Sequence, residues 1–144
     1  MDIKKFNWQL TREELKNNLQ ESQSNLDYVY GKCLFWGKDC FATFYFNSSG
    51  IITKIGVSLH KPSGVGTEVI DYKKTFYTLK EVFGEPQEYV NINPGQLEKL
   101  KDVYTELKYE NLPRIIWNIG EKRIVHRFKD YWGMIPDTYV EKVS

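Results

Sequence analysis

The sequence predicts an α+β fold: an antiparallel sheet of about five strands with two or three helices packed on one face. Three observations predict it. Two alternating runs, Cys40 to Phe46 and Ile51 to Leu59, flank the turn cluster Asn47-Ser48-Ser49-Gly50, the signal of an antiparallel pair. A second pair of runs, Arg114 to Ile119 and Lys122 to Phe128, flanks Gly120-Glu121. Other segments carry helix caps followed by apolar residues at helical spacing. Strands that cluster in sequence, rather than alternate with helices, favour α+β over a parallel α/β sheet.

In chain order, Thr11 and Glu14 form a capping box, with Leu10 and Leu15 placed as a hydrophobic staple. The helix they open runs from about Arg12 to Ser22, and Gln20 to Asn25 is a polar connection. Leu26 to Phe35 reads as a strand, and Trp36-Gly37-Lys38-Asp39 as a turn. In the central hairpin a four-residue turn sets Phe46 opposite Ile51, Phe44 opposite Thr53, Ala42 opposite Ile55 and Cys40 opposite Val57. Those positions form the core face. The opposite face, Phe41, Thr43, Tyr45, Ile52 and Lys54, is too apolar for plain solvent surface, so further structure or a partner covers it.

His60 to Thr67 is a loop rich in helix and strand breakers. A second helix spans about Asp71 to Phe83, with Asp71 as N-cap, an apolar stripe of Tyr72, Phe76, Leu79 and Phe83, and a Gly84-Glu85-Pro86 stop. Gln87 to Ile92 is a short strand or an extended linker. Asn93, Pro94 and Gln96 open a third helix that carries Leu97, Leu100, Tyr104 and Leu107 on one face and stops before Pro113. In the second hairpin a two-residue turn sets Trp117 opposite Ile124 and Ile115 opposite His126. The aromatic tail, Asp130 to Pro136, packs onto the body, and Tyr139 to Val143 supplies a possible last strand. No linker or repeat divides the chain, so residues 1–144 read as a single domain.

Length and composition fit that reading. A chain of 144 residues can bury one sizeable core. Twenty basic residues against nineteen acidic ones leave a net charge of +1, so nothing electrostatic argues for nucleic acid. No segment resembles a signal peptide or approaches the roughly 20 apolar residues of a spanning helix. The expectation is a cytoplasmic protein with no membrane or nucleic-acid partner. In a reducing compartment Cys33 and Cys40 are buried thiols, although a hairpin can also bring them together as a disulfide.

Little in the chain carries catalytic chemistry. His126 lies on the buried face of a strand, where it reads either as a general base or as a core histidine satisfied by a hydrogen bond. His60 enters the Ser63-Gly64-Val65-Gly66-Thr67 loop, where backbone amides at a helix start can hold phosphate. That loop lacks the Lys-Ser/Thr of a Walker motif and the third glycine of a dinucleotide fingerprint. Cys33, Cys40, His60 and His126 lack the paired spacing of a metal site, so no metal or cofactor is expected. Arg123, Val125 and Arg127 share the sheet face opposite the core, read as a solvated face or a partner face. Trp36, Tyr131 and Trp132 sit in turns, either folded back or presented to a partner.

The order helix, three-strand meander, loop, helix ending Phe83-Gly84-Glu85-Pro86, then a Trp-containing hairpin, resembles small bacterial immunity proteins of toxin competition systems. The segment from Phe44 to Ile55, followed by Leu79 to Pro86, is also similar to beta-lactamase-inhibitor-like domains. Both resemblances are structural, and neither assigns a functional residue. The absence of a catalytic motif, together with aromatic and Arg residues in exposed-looking positions, reads as a non-enzymatic protein-binding module, and the resemblance to immunity proteins implies one that neutralises a cognate toxin by steric occlusion. Its candidate contact residues are Trp36, Tyr45, Arg123, Arg127, Tyr131 and Trp132. The alternative is a small-ligand binder or enzyme with a pocket between sheet and helices, built on His60, Gly64, Gly66, Thr67 and His126.

Overall fold

The computed structural model describes residues 1–64 and 66–143. Its strands are β1 (Gln20–Ser24), β2 (Tyr28–Phe35), β3 (Lys38–Phe46), β4 (Ile52–Ser58), β5 (Glu88–Val90), β6 (Arg114–Ile119), β7 (Lys122–Asp130) and β8 (Met134–Lys142). Its helices are α1 (Arg12–Asn18), α2 (Glu68–Phe83), α3 (Pro94–Lys99) and α4 (Val103–Glu106), with single 3-10 turns at Ile3–Lys5 and Tyr109–Asn111. The described strands form one antiparallel sheet of eight, in the order β1-β2-β3-β4-β8-β7-β6-β5.

Eight strands, not about five with helices packed on one face, is a correction to the expected fold. β1 is polar throughout and exposed at all five positions, so it carries no alternating apolar signal. β5 has only three residues. β8 begins at Met134 rather than Tyr139, because Pro136 and Asp137 obscure its pattern. The chain divides into two compact units, Met1–Leu59 with Tyr139–Ser144, and His60–Thr138.

In the first unit the Thr11–Glu14 capping box forms as expected, with both reciprocal hydrogen bonds. The helix stops at Asn18, earlier than Ser22, because Leu19 turns extended and the chain enters β1. Leu15 and Leu19 are buried, and Leu19 sits tightly against β2: a Cβ on Gly31 would lie 2.9 Å from the Leu19 Cβ. Phe6 packs edge-on to Trp8 and against Phe44, each at 5.2 Å between ring centres. Arg12 fastens the β1–β2 turn, donating to the Leu26 carbonyl at 2.8 Å while its guanidinium lies 4.6 Å over the Phe46 ring.

The β2–β3 turn is shorter than the sequence suggests. Lys38 and Asp39 belong to β3, leaving Trp36 and Gly37 as the two turn residues, both at positive φ (45° and 81°). That is the pattern of a type I′ hairpin turn, with tryptophan in a place that usually holds Asn or Gly. Asp2 holds it there: its carboxylate accepts the Trp36 and Gly37 backbone N–H groups at 2.9 Å each.

The central hairpin is also re-registered. Phe44 pairs with Ile55 and Ala42 with Val57, while Phe46 pairs with Ile52. The cause is Asn47, whose side chain accepts from the amides of Ser49 and Ile51 and widens the turn. Thr53 becomes the extra residue of a bulge. The slip is even for Ala42 and Phe44, so they stay in the core, but Ile52 turns inward and Ile51 is exposed.

In the second unit α2 starts one turn before the expected Asp71. Tyr72, Phe76 and Leu79 are buried as their spacing predicts, joined by Val69. Gly84 ends the helix at φ 80°, and its carbonyl accepts the Trp117 indole N–H at 2.9 Å. The Asn93–Gln96 capping box forms, but the helix breaks at Leu100. Asp102 caps a fresh turn through the Tyr104 amide, and the Glu106 carboxylate takes the amides of Lys101 and Asp102. The buried face is therefore Leu97, Leu100 and Val103, with Tyr104 exposed. The β6–β7 hairpin keeps the expected register, Trp117 with Ile124 and Ile115 with His126.

Candidate partner-binding surface

The outer face of β2, β3 and β4 gathers aromatic rings and lysines. Alternation points Val29, Gly31, Ala42 and Phe44 inward, and so points their neighbours outward. Across the three strands the register sets Tyr28 beside Tyr45 and Lys54, Tyr30 beside Thr43 and Gly56, and Lys32 beside Phe41 and Ser58. Tyr30 stacks on Phe41 at 5.6 Å and 8° between planes, a diagonal cross-strand pair. Tyr28 meets Tyr45 edge-on at 6.2 Å. Lys32 lies 5.4 Å over Phe41, and Lys54 lies over both Tyr45 and Tyr139, at 5.5 and 4.6 Å.

The Tyr45 ring lies across β4 beside Gly56, where an added Cβ would make ordinary contact with the ring edge at 3.5 Å. The rings are thus held by one another and by ammonium groups rather than by deep burial. Phe41 and Tyr45 remain more than a third exposed, at 38% and 37%. A shallow depression of about 390 Å³ opens among Gln23, Tyr28, Tyr30, Thr43 and Tyr45. The face expected around Phe41, Thr43, Tyr45 and Lys54 therefore exists, with Ile52 withdrawn from it by the bulge. Tyr28 and Tyr30 join it without having been singled out. Their signal was Tyr-x-Tyr-x-Lys, an alternation that places all three on one side of a strand.

The other expected contact residues separate. Trp36 is half-buried and packs edge-on to Phe35 at 4.8 Å, so it is folded back rather than presented. In the second unit Arg127 pairs with Asp137 at 2.9 Å, and Arg123 donates to the Asn118 side chain at 3.2 Å. Ile116 and Val125, opposed in register between those arginines, are buried, which corrects the picture of a solvated sheet face. Tyr131 and Trp132 form the tip between β7 and β8. Trp132 is 97% exposed at φ 56°, and Lys129 lies 5.2 Å over the Tyr131 ring.

Of the residues of the alternative pocket, His60, Gly64, Thr67 and His126 hydrogen-bond within the chain. His126 is fully buried with both ring nitrogens bonded. Nε2 lies 2.8 Å from the Tyr72 carbonyl and Nδ1 lies 2.9 Å from the Thr138 hydroxyl. Since a carbonyl only accepts, Nε2 carries the proton and Nδ1 accepts from Thr138. Burial pushes the His126 pKa down to about 4, against the opposing pull of the Tyr72 carbonyl and Asp137. His60 Nε2 pairs with the Thr78 hydroxyl at 2.9 Å. In the glycine loop, where Val65 lies outside the described residues, an internal carboxylate occupies the place read for phosphate. Asp71 accepts from the Ser63 hydroxyl at 2.9 Å and lies 3.0 Å from that of Thr67, which also reaches the Gly64 carbonyl at 2.6 Å. Gly66 keeps a positive φ of 82°. No group of three or more metal-ligating side chains occurs among the described residues, and no helix there is long and apolar enough to cross a membrane.

No protein family, curated protein or solved structure matches this chain.

Proposed function

We propose that this chain is a non-enzymatic protein-binding module that engages its partner with the outer face of β2–β4. The observation that carries the reading is the ring set Tyr28, Tyr30, Phe41 and Tyr45. These are large amphipathic side chains, already fixed by stacking and cation–π contacts, on a face open enough to meet another surface. Prefixed aromatics lose little entropy on docking and are the commonest residues at interface hot spots. The sequence resemblance to immunity proteins names the partner class: a bacterial toxin, held by steric occlusion of its working surface.

The test is size-exclusion and calorimetry with the product of the adjacent gene. The expected result is a complex at micromolar concentration that Tyr45→Ala or Tyr30→Ala weakens by tenfold or more, about 1.4 kcal/mol each. Circular dichroism confirms that each variant is folded. Absence of a complex, or a complex indifferent to both substitutions, overturns the reading.

A further inference from the structure

We propose that Cys33 and Cys40 form a peroxide-sensitive thiol pair that closes into a disulfide between β2 and β3. The β2–β3 register places the two residues directly opposite each other. Both share the strand face of Val29 and Ala42, and their sulfurs lie 3.6 Å apart as free thiols. Opposed residues on antiparallel strands have Cα atoms about 4.5–5.5 Å apart. That range lies inside the Cα window a disulfide spans, so closure needs side-chain rotation and at most a small approach of the two strands.

The pair is asymmetric in a way that assigns roles. Cys40 is buried, while Cys33 is only partly enclosed. The hydrogen bond from the Cys40 thiol lowers the Cys33 pKa, outweighing burial, and the same contact together with burial raises that of Cys40. Cys33 is therefore the attacking sulfur and Cys40 the resolving one.

The chemistry balances with hydrogen peroxide as oxidant. The Cys33 thiolate attacks one peroxide oxygen, the O–O bond breaks, and the departing hydroxide takes a proton to become water. Cys33 is now a sulfenic acid. Cys40 sulfur attacks Cys33 sulfur, and the expelled hydroxide takes the Cys40 proton as a second water. Two thiols and one peroxide become one disulfide and two waters. The proposal is independent of what the outer face binds, since both sulfurs belong to the opposite side of the strands.

The experiment treats the purified chain with hydrogen peroxide and reads intact mass, alkylation and peptide maps without reductant. The expected product is a monomer lighter by two hydrogens, carrying a Cys33–Cys40 cross-link, resistant to iodoacetamide and restored by dithiothreitol. In the reduced protein Cys33 alkylates before Cys40. In Cys40→Ser the reaction stops at a Cys33 sulfenic acid that dimedone traps. Should that variant fail to fold, the wild-type peptide map decides alone. Two alkylatable thiols after peroxide, an intermolecular dimer, sulfinic acid at Cys33 in place of the cross-link, or faster alkylation of Cys40 overturns the proposal.

Discussion

Tyr72 and His126 are bonded to each other twice, in opposite senses. The His126 ring donates to the Tyr72 backbone carbonyl at 2.8 Å, and the Tyr72 hydroxyl donates to the His126 backbone carbonyl at 3.2 Å. Their rings stack at 4.0 Å, and Phe128 stacks on Tyr72 at the same distance. One residue belongs to a helix and the other to a strand, so the exchange fixes α2 against β7 in both position and rotation. Burial, rather than these bonds, keeps the histidine neutral.

That neutrality gives the protein an acid dependence with a defined sign. The folded-state pKa of His126 is about 4, below the ordinary value of about 6.5 in an unfolded chain. The unfolded chain thus binds the proton first as pH falls. Stability from this group is complete above about pH 6.5, falls by about 3 kcal/mol between there and about pH 4, and then levels off. Urea denaturation across that range reads the slope. A His126→Phe variant loses the dependence on this group, whatever its absolute stability.

Gly31→Ala is expected to destabilise the first unit by about 1–3 kcal/mol. The added methyl would sit 2.9 Å from the Leu19 Cβ and 3.0 Å from the Gln20 carbonyl. Both obstacles are fixed by backbone, so neither can swing aside. A drop in the urea midpoint at unchanged slope is the expected signature.

Asp2→Ala is expected to cost about 2 kcal/mol. Its carboxylate serves the amides of Lys4, Trp36 and Gly37, each at 2.9 Å. Two of these amides belong to a turn whose first residue is a tryptophan at positive φ. Losing the carboxylate leaves the Trp36 and Gly37 amides without this acceptor, so the Trp36 fluorescence should shift along with the loss of stability.

The tryptophans Trp117 and Trp132 should behave as opposites. Trp117 is fully buried, bonded to Gly84 and packed beside Phe76 and Phe83, so Trp117→Ala should cost about 3–5 kcal/mol. Trp132→Ala should change stability by less than about 0.5 kcal/mol, because its side chain is almost wholly in solvent. Thermal or urea melts of the two variants give the comparison.

The apolar helices and the β6–β7 hairpin were legible because their buried residues recur at the period of their element. So were both capping boxes, whose hydrogen bonds are local. What stayed hidden was decided elsewhere. β1 is a strand because β2 offers it an edge, not because Gln20 to Ser24 has strand character. The central register turned on Asn47, whose side chain accepts the Ile51 amide, just beyond the expected turn, as well as that of Ser49. The third helix broke because Asp102 and Glu106 found better acceptor roles at a new helix start. For the binding surface, Tyr45 and its outer neighbours could be read from alternation on β3. The partnership with Tyr28 and Tyr30 depended on a cross-strand register that one strand does not contain. The Trp36 turn is fastened through its backbone N–H by Asp2, more than thirty residues away, a contact that the local sequence does not contain.

β1 has one more consequence. Its five exposed polar side chains bury nothing, yet its backbone occupies the free edge of β2, whose run Tyr28-Val29-Tyr30-Gly31-Lys32-Cys33-Leu34-Phe35 is rich in strand-forming residues and carries a single charge. Left open, such an edge is a template on which a second chain can grow a fibril. Glu21, at φ 53°, bends the strand that replaces it, so the new border is short, kinked and hydrophilic. β1 works as a selvedge, finishing the sheet so that it does not extend. Light scattering of a Gln23→Pro variant, in which this border detaches, should show growth that the native chain resists.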